Sequence, residues 1–483
     1  MPSTAVTTPT TTSATTTSAD RTSAAGVVPA SRPVDAAAVA RARELDSAHV
    51  FHSWSAQKLI TPMVVTGAEG SWVYDAEGRP LLDFSSQLVF TNIGHSHPKV
   101  VTAIGEQAAT LATVAPQHAV GVRGEAARLI TSHLPGSRLN KVFFTTGGAE
   151  ANENAVRAAR QHTGRRKVLA RYRSYHGNTQ TAIHLTGDPR RWANDSGAEG
   201  VVHFFGPYLY RSVFHSSTEA EECQRALEHL EQVIALEGPS TIAALVLESV
   251  PGTAGIMVPP PGYLAGVREI TRRHGIMLVL DEVMAGFGRT GTWFGYDVHG
   301  DGERIDPDLV TIAKGVNSGY VPLGAVVLSD EVAATFDERA FPGGLTYSGH
   351  PLACAASVAT IRAMEEEGVV ENARRLGEDV IGPALREIAE RHDVVGEVRG
   401  TGVFWAVELV KSHETREPVV PAGATGAANA PMAAFTKACL SRGLLPFVNG
   451  NRTHVVPPCT MSDDEALWGL QQLDAALGEV FGA

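Results

Sequence analysis

Ile276-Met277-Leu278-Val279-Leu280-Asp281-Glu282-Val283 and, further on, Leu309-Val310-Thr311-Ile312-Ala313-Lys314-Gly315 decide how this chain is read. Each is a short apolar run that closes on a charged residue, Asp281 in the first and Lys314 33 residues later in the second. Runs of this length predict strands buried on both faces. A carboxylate directly after five apolar residues is costly to bury without a positive partner, and a lysine ending a buried strand is far from its usual solvated setting. Working outward, Lys141-Val142-Phe143-Phe144, Lys167-Val168-Leu169-Ala170, Ile242 to Leu247 and Gly324 to Leu328 also read as strands, with helical patterns between them. This alternation predicts a largely parallel sheet with helices on both faces, whose ligands bind beyond the carboxyl ends of the strands.

Residues of chemical interest fall at those ends. Thr146-Gly147-Gly148 follows the first strand and opens a helix, so its free N–H groups suit a phosphate dianion. Tyr175 and His176 follow the second, and Tyr175 can lie flat on a ring. Glu248 ends Ala244-Leu245-Val246-Leu247 and extends an acidic network. Period-2 alternation puts Val283, not Glu282, on the face of Asp281, where it would pack on the ring opposite Tyr175. Thr346, in a Gly-rich turn, offers a hydroxyl to a phosphate oxygen. An amine and an acid at neighbouring strand ends suit pyridoxal phosphate (PLP): Lys314 to hold the aldehyde as a Schiff base, Asp281 to keep the pyridine nitrogen protonated.

The chain has 483 residues, 43% hydrophobic and 19% charged, with a formal charge of −12. That length suggests two or more domains, and that charge argues against a general affinity for nucleic acid or anionic membrane. Cys223, Cys354, Cys439 and Cys459 form no CxxC pair, which predicts no metal site and a reducing, cytoplasmic setting. No apolar run is long enough to span a bilayer.

Residues 1–35 read as a disordered Ser/Thr-rich tail, since their composition offers no apolar face. Residues 36–90 read as an N-terminal segment of a small domain, with a helix from Ala36 and a hairpin at Ser71–Asp75 and Pro80–Phe84. Residues 91–360 form the large domain. Residues 361–483 complete the small one, with a strand at Thr401–Leu409 and a last helix capped by Ser462 and Glu465.

Jointly, these motifs resemble the class III PLP-dependent aminotransferases from about His49 to the C-terminus. The resemblance implies the α/β architecture of fold type I, with a smaller α+β domain built from both termini. It implies Lys314 as the cofactor-holding lysine, Asp281 on the pyridine nitrogen, Tyr175 on the ring and Gly147-Gly148 at the phosphate. It also implies a homodimer with shared sites, in which Thr346 reaches the neighbouring subunit's cofactor phosphate. The reaction implied is ping-pong transfer of an amino group from a donor to a 2-oxo acid, pyruvate or 2-oxoglutarate. Trp54-Ser55-Ala56-Gln57 and Asp83-Phe84-Ser85-Ser86-Gln87-Leu88 look like the taurine and β-alanine type, with Gln87, Leu88 and Phe90 lining the donor pocket. Two departures separate the chain from γ-aminobutyrate and ornithine enzymes. Thr253 stands where their EPVQGEGG motif has its second glutamate, and His454 where they place a carboxylate-reading arginine. Arg452, two residues earlier and on the same strand face, is the expected clamp for a carboxylate or sulfonate. Decarboxylating transamination, aminomutase, racemase or phospholyase chemistry would use the same cofactor residues.

Overall fold

The computed structural model describes residues 26–194 and 200–482. Most of the tail read from composition, residues 1–25, lies outside the described residues. Its last part lies against the hairpin: the Arg32 N–H donates to the Gly78 carbonyl at 2.9 Å, and the Arg32 guanidinium stacks 3.9 Å from the centre of the Tyr74 ring.

Seven strands make the central sheet: β1 (Leu139–Thr145), β2 (Lys167–Arg171), β3 (Val201–Phe204), β4 (Ile242–Glu248), β5 (Met277–Asp281), β6 (Leu309–Ile312) and β7 (Gly324–Ser329). Their order is β1-β7-β6-β5-β4-β2-β3. The pairs from β3 to β6 are parallel, and β7 alone runs against both its neighbours. Strand β3 has no counterpart among the predicted strands, because it is a four-residue edge strand interrupted by a half-buried histidine.

Side-chain alternation sorts the sheet into two cores. Val168, Ala170, Ala244, Val246, Val279, Leu309 and Val326 face helix α1 (Gly148–Thr163), whose Ala151, Ala155, Ala158 and Ala159 allow close approach. Leu169, Leu245, Leu247, Leu278, Leu280, Val310 and Val327 face the opposite layer, with α2 (Tyr263–His274) and α3 (Pro351–Glu366). With both faces covered, the central strands β4, β5 and β6 are near-continuous apolar runs rather than alternating.

The C-terminal portion carries an antiparallel sheet of β8 (Val395–Thr401), β9 (Phe404–Leu409), β10 (Phe447–Asn449) and β11 (Arg452–Val455), ordered β8-β9-β11-β10. The strand predicted at Thr401–Leu409 is therefore the second arm of a hairpin. Gly402, at φ 52°, turns the chain where an added Cβ would sit 2.3 Å from the Gly291 nitrogen. Helix α4 (Asp463–Phe481) begins with the full capping box at Ser462 and Glu465. The Glu465 carboxylate also accepts from Trp72 Nε1 at 2.7 Å, and Leu444 pairs in parallel with Leu82. Segments from both ends of the chain thus pack as one body. Among the described residues no helix is long and apolar enough to cross a membrane.

Candidate active site

Register brings the chemistry together. Glu248 pairs with Asp281 and Asp281 with Thr311, so the carboxyl ends of β4, β5 and β6 stand side by side. Above them lies a cavity of about 310 Å³ lined by Thr146, Gly147, Gly148, Tyr175, His176, Glu248, Asp281, Val283, Lys314 and Phe90, with Asn152, Thr253 and Met284 among others. A volume of this size suits one small molecule.

Asp281 is buried and held from three sides. Its Oδ2 accepts from Asn152 Nδ2 and from His176 Nδ1, each at 2.8 Å, and its Oδ1 from the Val283 N–H at 3.0 Å. Burial opposes a charge on His176, but the hydrogen bond and charge of Asp281 outweigh it and hold the imidazole above its usual pKa. Asn152 carries this network onward: its Nδ2 also donates to the His176 carbonyl at 2.8 Å, and its Oδ1 accepts from Thr311 Oγ1 at 2.9 Å. Sequence reading missed Asn152. The available signal was an amide set among the apolar face of α1, beside Ala151 and Ala155.

Lys314 sits in the left-handed region at φ 50°, straight after β6, in the first position of a short 3-10 turn. Enclosure by protein pulls its amine below the ordinary lysine range, against the charges of Asp281 and Glu248, and Arg190 adds to the depression. Glu248 is buried and ties two loops: its Oε1 accepts from the Tyr175 N–H at 2.9 Å and its Oε2 from the Gly252 N–H at 2.8 Å. Burial pushes its carboxyl up. Glu282 points away from the cavity, accepting from the Gly295 and Tyr296 N–H groups at 2.7 and 2.9 Å. Burial raises its carboxyl to about 7.

The glycine turn is shaped for close approach. Helix α1 starts at Gly148 with no side chain capping its N–H groups. A Cβ on Gly148 would meet the Val283 methyls at 2.9 and 3.0 Å, whereas one on Gly147 would meet nothing within 4 Å. Thr146 lines the cavity, but its amide and hydroxyl both donate to Glu150 Oε2, at 2.8 and 2.6 Å.

Some expected residues lie elsewhere. Gln87 turns to Asp83, donating from Nε2 at 2.9 Å, and Leu88 is 62% exposed. Neither is in the cavity wall; Phe90 alone of that trio is, packed against Gly319. Thr346 is exposed, outside the wall. Arg452, expected as the clamp, is also not in the wall. Its side chain lies behind the Gly252–Gly255 loop, where a Cβ on Gly255 would meet its Cδ and Nε at 3.0 and 3.2 Å. Two residues sequence reading did not place here are close to the site. Trp54 meets Tyr175 edge-on with ring centres 6.2 Å apart, and the Arg190 guanidinium lies 3.8 Å from the centre of the Tyr175 ring.

An anion cradle at a helix start, a buried carboxylate with lone pairs left on Oδ1, and a depressed lysine in one cavity fit a phosphorylated pyridine aldehyde. Fold and site together define a PLP-dependent enzyme of fold type I. Residues 54–477 match the family model described as aminotransferase class-III. The chain is 36% identical over 431 residues to the taurine–pyruvate aminotransferase of Rhodobacter capsulatus, covering 86% of this chain and 89% of that one. It is 32% identical to the γ-aminobutyrate transaminase 2 of Solanum lycopersicum, covering 84% and 89%. The solved taurine:2-oxoglutarate aminotransferase of Bifidobacterium kashiwanohense, in complex with PLP and glutamate, superposes with a TM-score of 0.87 at 36% identity, covering 92% and 98%. The chain belongs to the class III aminotransferases and is a PLP-dependent transaminase.

Proposed function

We propose that the enzyme moves an amino group from an ω-amino acid or amino sulfonate, taurine-like or β-alanine-like, to pyruvate or 2-oxoglutarate, in two half-reactions at one site. The observation that carries this reading is the meeting of Asp281, Lys314 and the glycine turn in one cavity. The taurine enzymes among its relatives, and Thr253 in place of a second glutamate, favour this donor class over γ-aminobutyrate.

PLP supplies an electron sink that stabilises the carbanion left when the donor carbon loses its proton. Asp281 would hold the ring nitrogen and keep it protonated, with Asn152 and His176 fixing the carboxylate. Tyr175 and Val283 hold the two ring faces. The first-turn N–H groups at Gly147, Gly148 and Ala149 take the phosphate. Lys314 would hold the aldehyde at rest and carry the proton at its Nζ during the reaction, and burial, which pulls its amine below the ordinary lysine range, favours that role as a base. Glu248 fixes the backbone of Tyr175 and closes the wall toward Thr253.

The proposal extends to a cytoplasmic homodimer in which Thr346 completes the partner's phosphate site. The dimer is supported by exposed apolar side chains, with Trp54 58%, Leu59 80%, Leu88 62% and Tyr347 64% exposed, of which Trp54 borders Tyr175.

Single-turnover spectroscopy tests the reaction. Taurine or β-alanine added alone should bleach the cofactor's visible absorbance and release one equivalent of oxo product, and pyruvate or 2-oxoglutarate should restore the colour. Absorbance that recovers without an acceptor would point instead to racemase or lyase chemistry.

A further inference from the structure

We propose that Arg289 is a positioning residue for the transamination: by gripping Asn92 it holds the Lys314 turn in the backbone geometry that keeps the amine in the cavity wall. This inference rests on the reading of Lys314 as the cofactor-holding lysine and deepens it.

The turn needs holding. Lys314 has φ 50°, a left-handed conformation that a residue with a side chain keeps only where its surroundings enforce it. Much of that enforcement comes from one short stretch of the N-terminal segment. Phe90 fills the space over Gly319, where an added Cβ would meet its ring at 2.3 Å. The Ile93 N–H donates to Ser318 Oγ at 3.1 Å. Between them Asn92 covers Gly315, the residue next to the lysine. A Cβ there would lie 2.5 Å from Asn92 Nδ2 and 2.9 Å from Phe287 Cβ. Residues 90–93 thus bracket the turn from Gly315 to Gly319.

Arg289 fixes that stretch in place. It lies in the loop after β5 and is fully buried. Its Nη2 donates to Asn92 Oδ1 at 2.9 Å and to Ser86 Oγ at 3.2 Å, and its Nη1 to the carbonyls of Val403, at 3.3 Å, and Pro457. Asn92 is locked on its other sides. Its Nδ2 donates to the Phe287 carbonyl at 2.7 Å, and its own carbonyl accepts from the Cys459 N–H at 2.7 Å. The acceptors of the guanidinium are all uncharged, and among the described residues it forms no ion pair. A buried cation without a paired anion is destabilising, and an apolar side chain of similar size would fill the space without that penalty. What an apolar side chain could not do is orient an amide from a planar fork. The loop that carries Arg289 continues the strand that ends in Asp281. One chain of contacts, Arg289 to Asn92 to Gly315, therefore ties the strand of the acid to the turn of the lysine.

The test uses the holoenzyme, R289K, N92S, the double variant, and L473A as a control that loosens the core under α4 outside these contacts. The main readout is the pH midpoint of the bound cofactor's visible absorbance, which reports the proton on the Lys314 nitrogen. R289K keeps the charge but not the fork, and N92S shortens the amide. Each should move the midpoint up by about one pH unit, roughly tenfold in proton affinity, because a loosened turn gives that nitrogen more water. With the donor that wild type uses fastest, kcat should fall about tenfold and KM change less than about twofold. The two substitutions act in series, so the double variant should shift no further than either alone. An unchanged midpoint in either single variant would overturn the proposal, and N92S decides it if R289K does not fold. A loss confined to KM, additive shifts in the double variant, or an equal shift in L473A would overturn it too. Borohydride reduction and mass mapping of the wild type keep the two readings apart. Cofactor fixed on Lys314, with no midpoint shift in the variants, removes the proposal alone. Cofactor fixed on another lysine removes the reading of Lys314, and the proposal with it.

Discussion

Lys314 concentrates the residue-scale argument, because one amine must be buried enough to lose its proton and exposed enough to reach a ligand. Lys314→Ala should lower turnover by more than about 10³-fold while leaving the far-UV spectrum unchanged, since on the proposed mechanism it removes both the cofactor's anchor and the proton carrier. The same amine is a stability liability in the cofactor-free protein. Its pKa is depressed by folding, so the unfolded chain binds more protons than the native one between the folded pKa and about 10.4, the ordinary lysine value. Stability therefore rises with pH through that window. Cofactor-free Lys314→Met should melt higher than cofactor-free wild type at pH 7, and the gap should close as pH approaches about 10.4. A gap independent of pH would show that packing, not charge burial, is responsible.

At the scale of elements, the strand ends and the glycine turn form one unit, and their glycines are not equivalent. Gly177 has φ 128°, and an added Cβ would sit 2.5 Å from the Ala149 Cβ in the first turn of α1. Gly164, at φ 70°, closes the same helix with nothing within 4 Å. Gly177→Ala should cost about 1–3 kcal/mol and also weaken PLP binding, because the phosphate turn must shift. Gly164→Ala should cost about 1 kcal/mol and leave PLP affinity unchanged. Urea unfolding with a parallel cofactor titration separates the two. This contrast also explains what the sequence made legible. Strands β4, β5 and β6 announce themselves as apolar runs, so Glu248, Asp281 and Lys314 could be aligned before any coordinates. Residues whose place depends on a distant loop could not. Arg190 is brought to Tyr175 by a 3-10 turn with no periodic pattern, and Arg452 is drawn behind the Gly252–Gly255 loop by packing that no local spacing encodes. Gln87 is a third case: its side-chain amide is engaged by the buried Asp83 four residues earlier, a pairing that strand and loop patterns do not announce.

Across the whole molecule, one carboxylate joins the N-terminal hairpin to the last helix. Glu465 closes the capping box of α4 and also receives Trp72 Nε1 from the N-terminal hairpin. Ser462→Ala should cost about 1 kcal/mol, the ordinary value of a cap. Glu465→Ala should cost more, because it also leaves the Trp72 donor without its acceptor. Equal shifts in the thermal midpoint would mean that the Trp72 link contributes nothing. The reversed strand β7 has a different consequence. It returns from the lysine turn to pair Gly324 with Thr145, and a Cβ on Gly324 would lie 2.7 Å from the Gly147 carbonyl. The short connection from Gly315 to Leu323 is thereby a ruler: one end fixes where Lys314 stands and the other where the Gly147-Gly148 turn, the proposed phosphate cradle, lies. Inserting or deleting a single residue there would misalign both anchorages at once, so the number of residues in that span constrains the enzyme as firmly as their identities do.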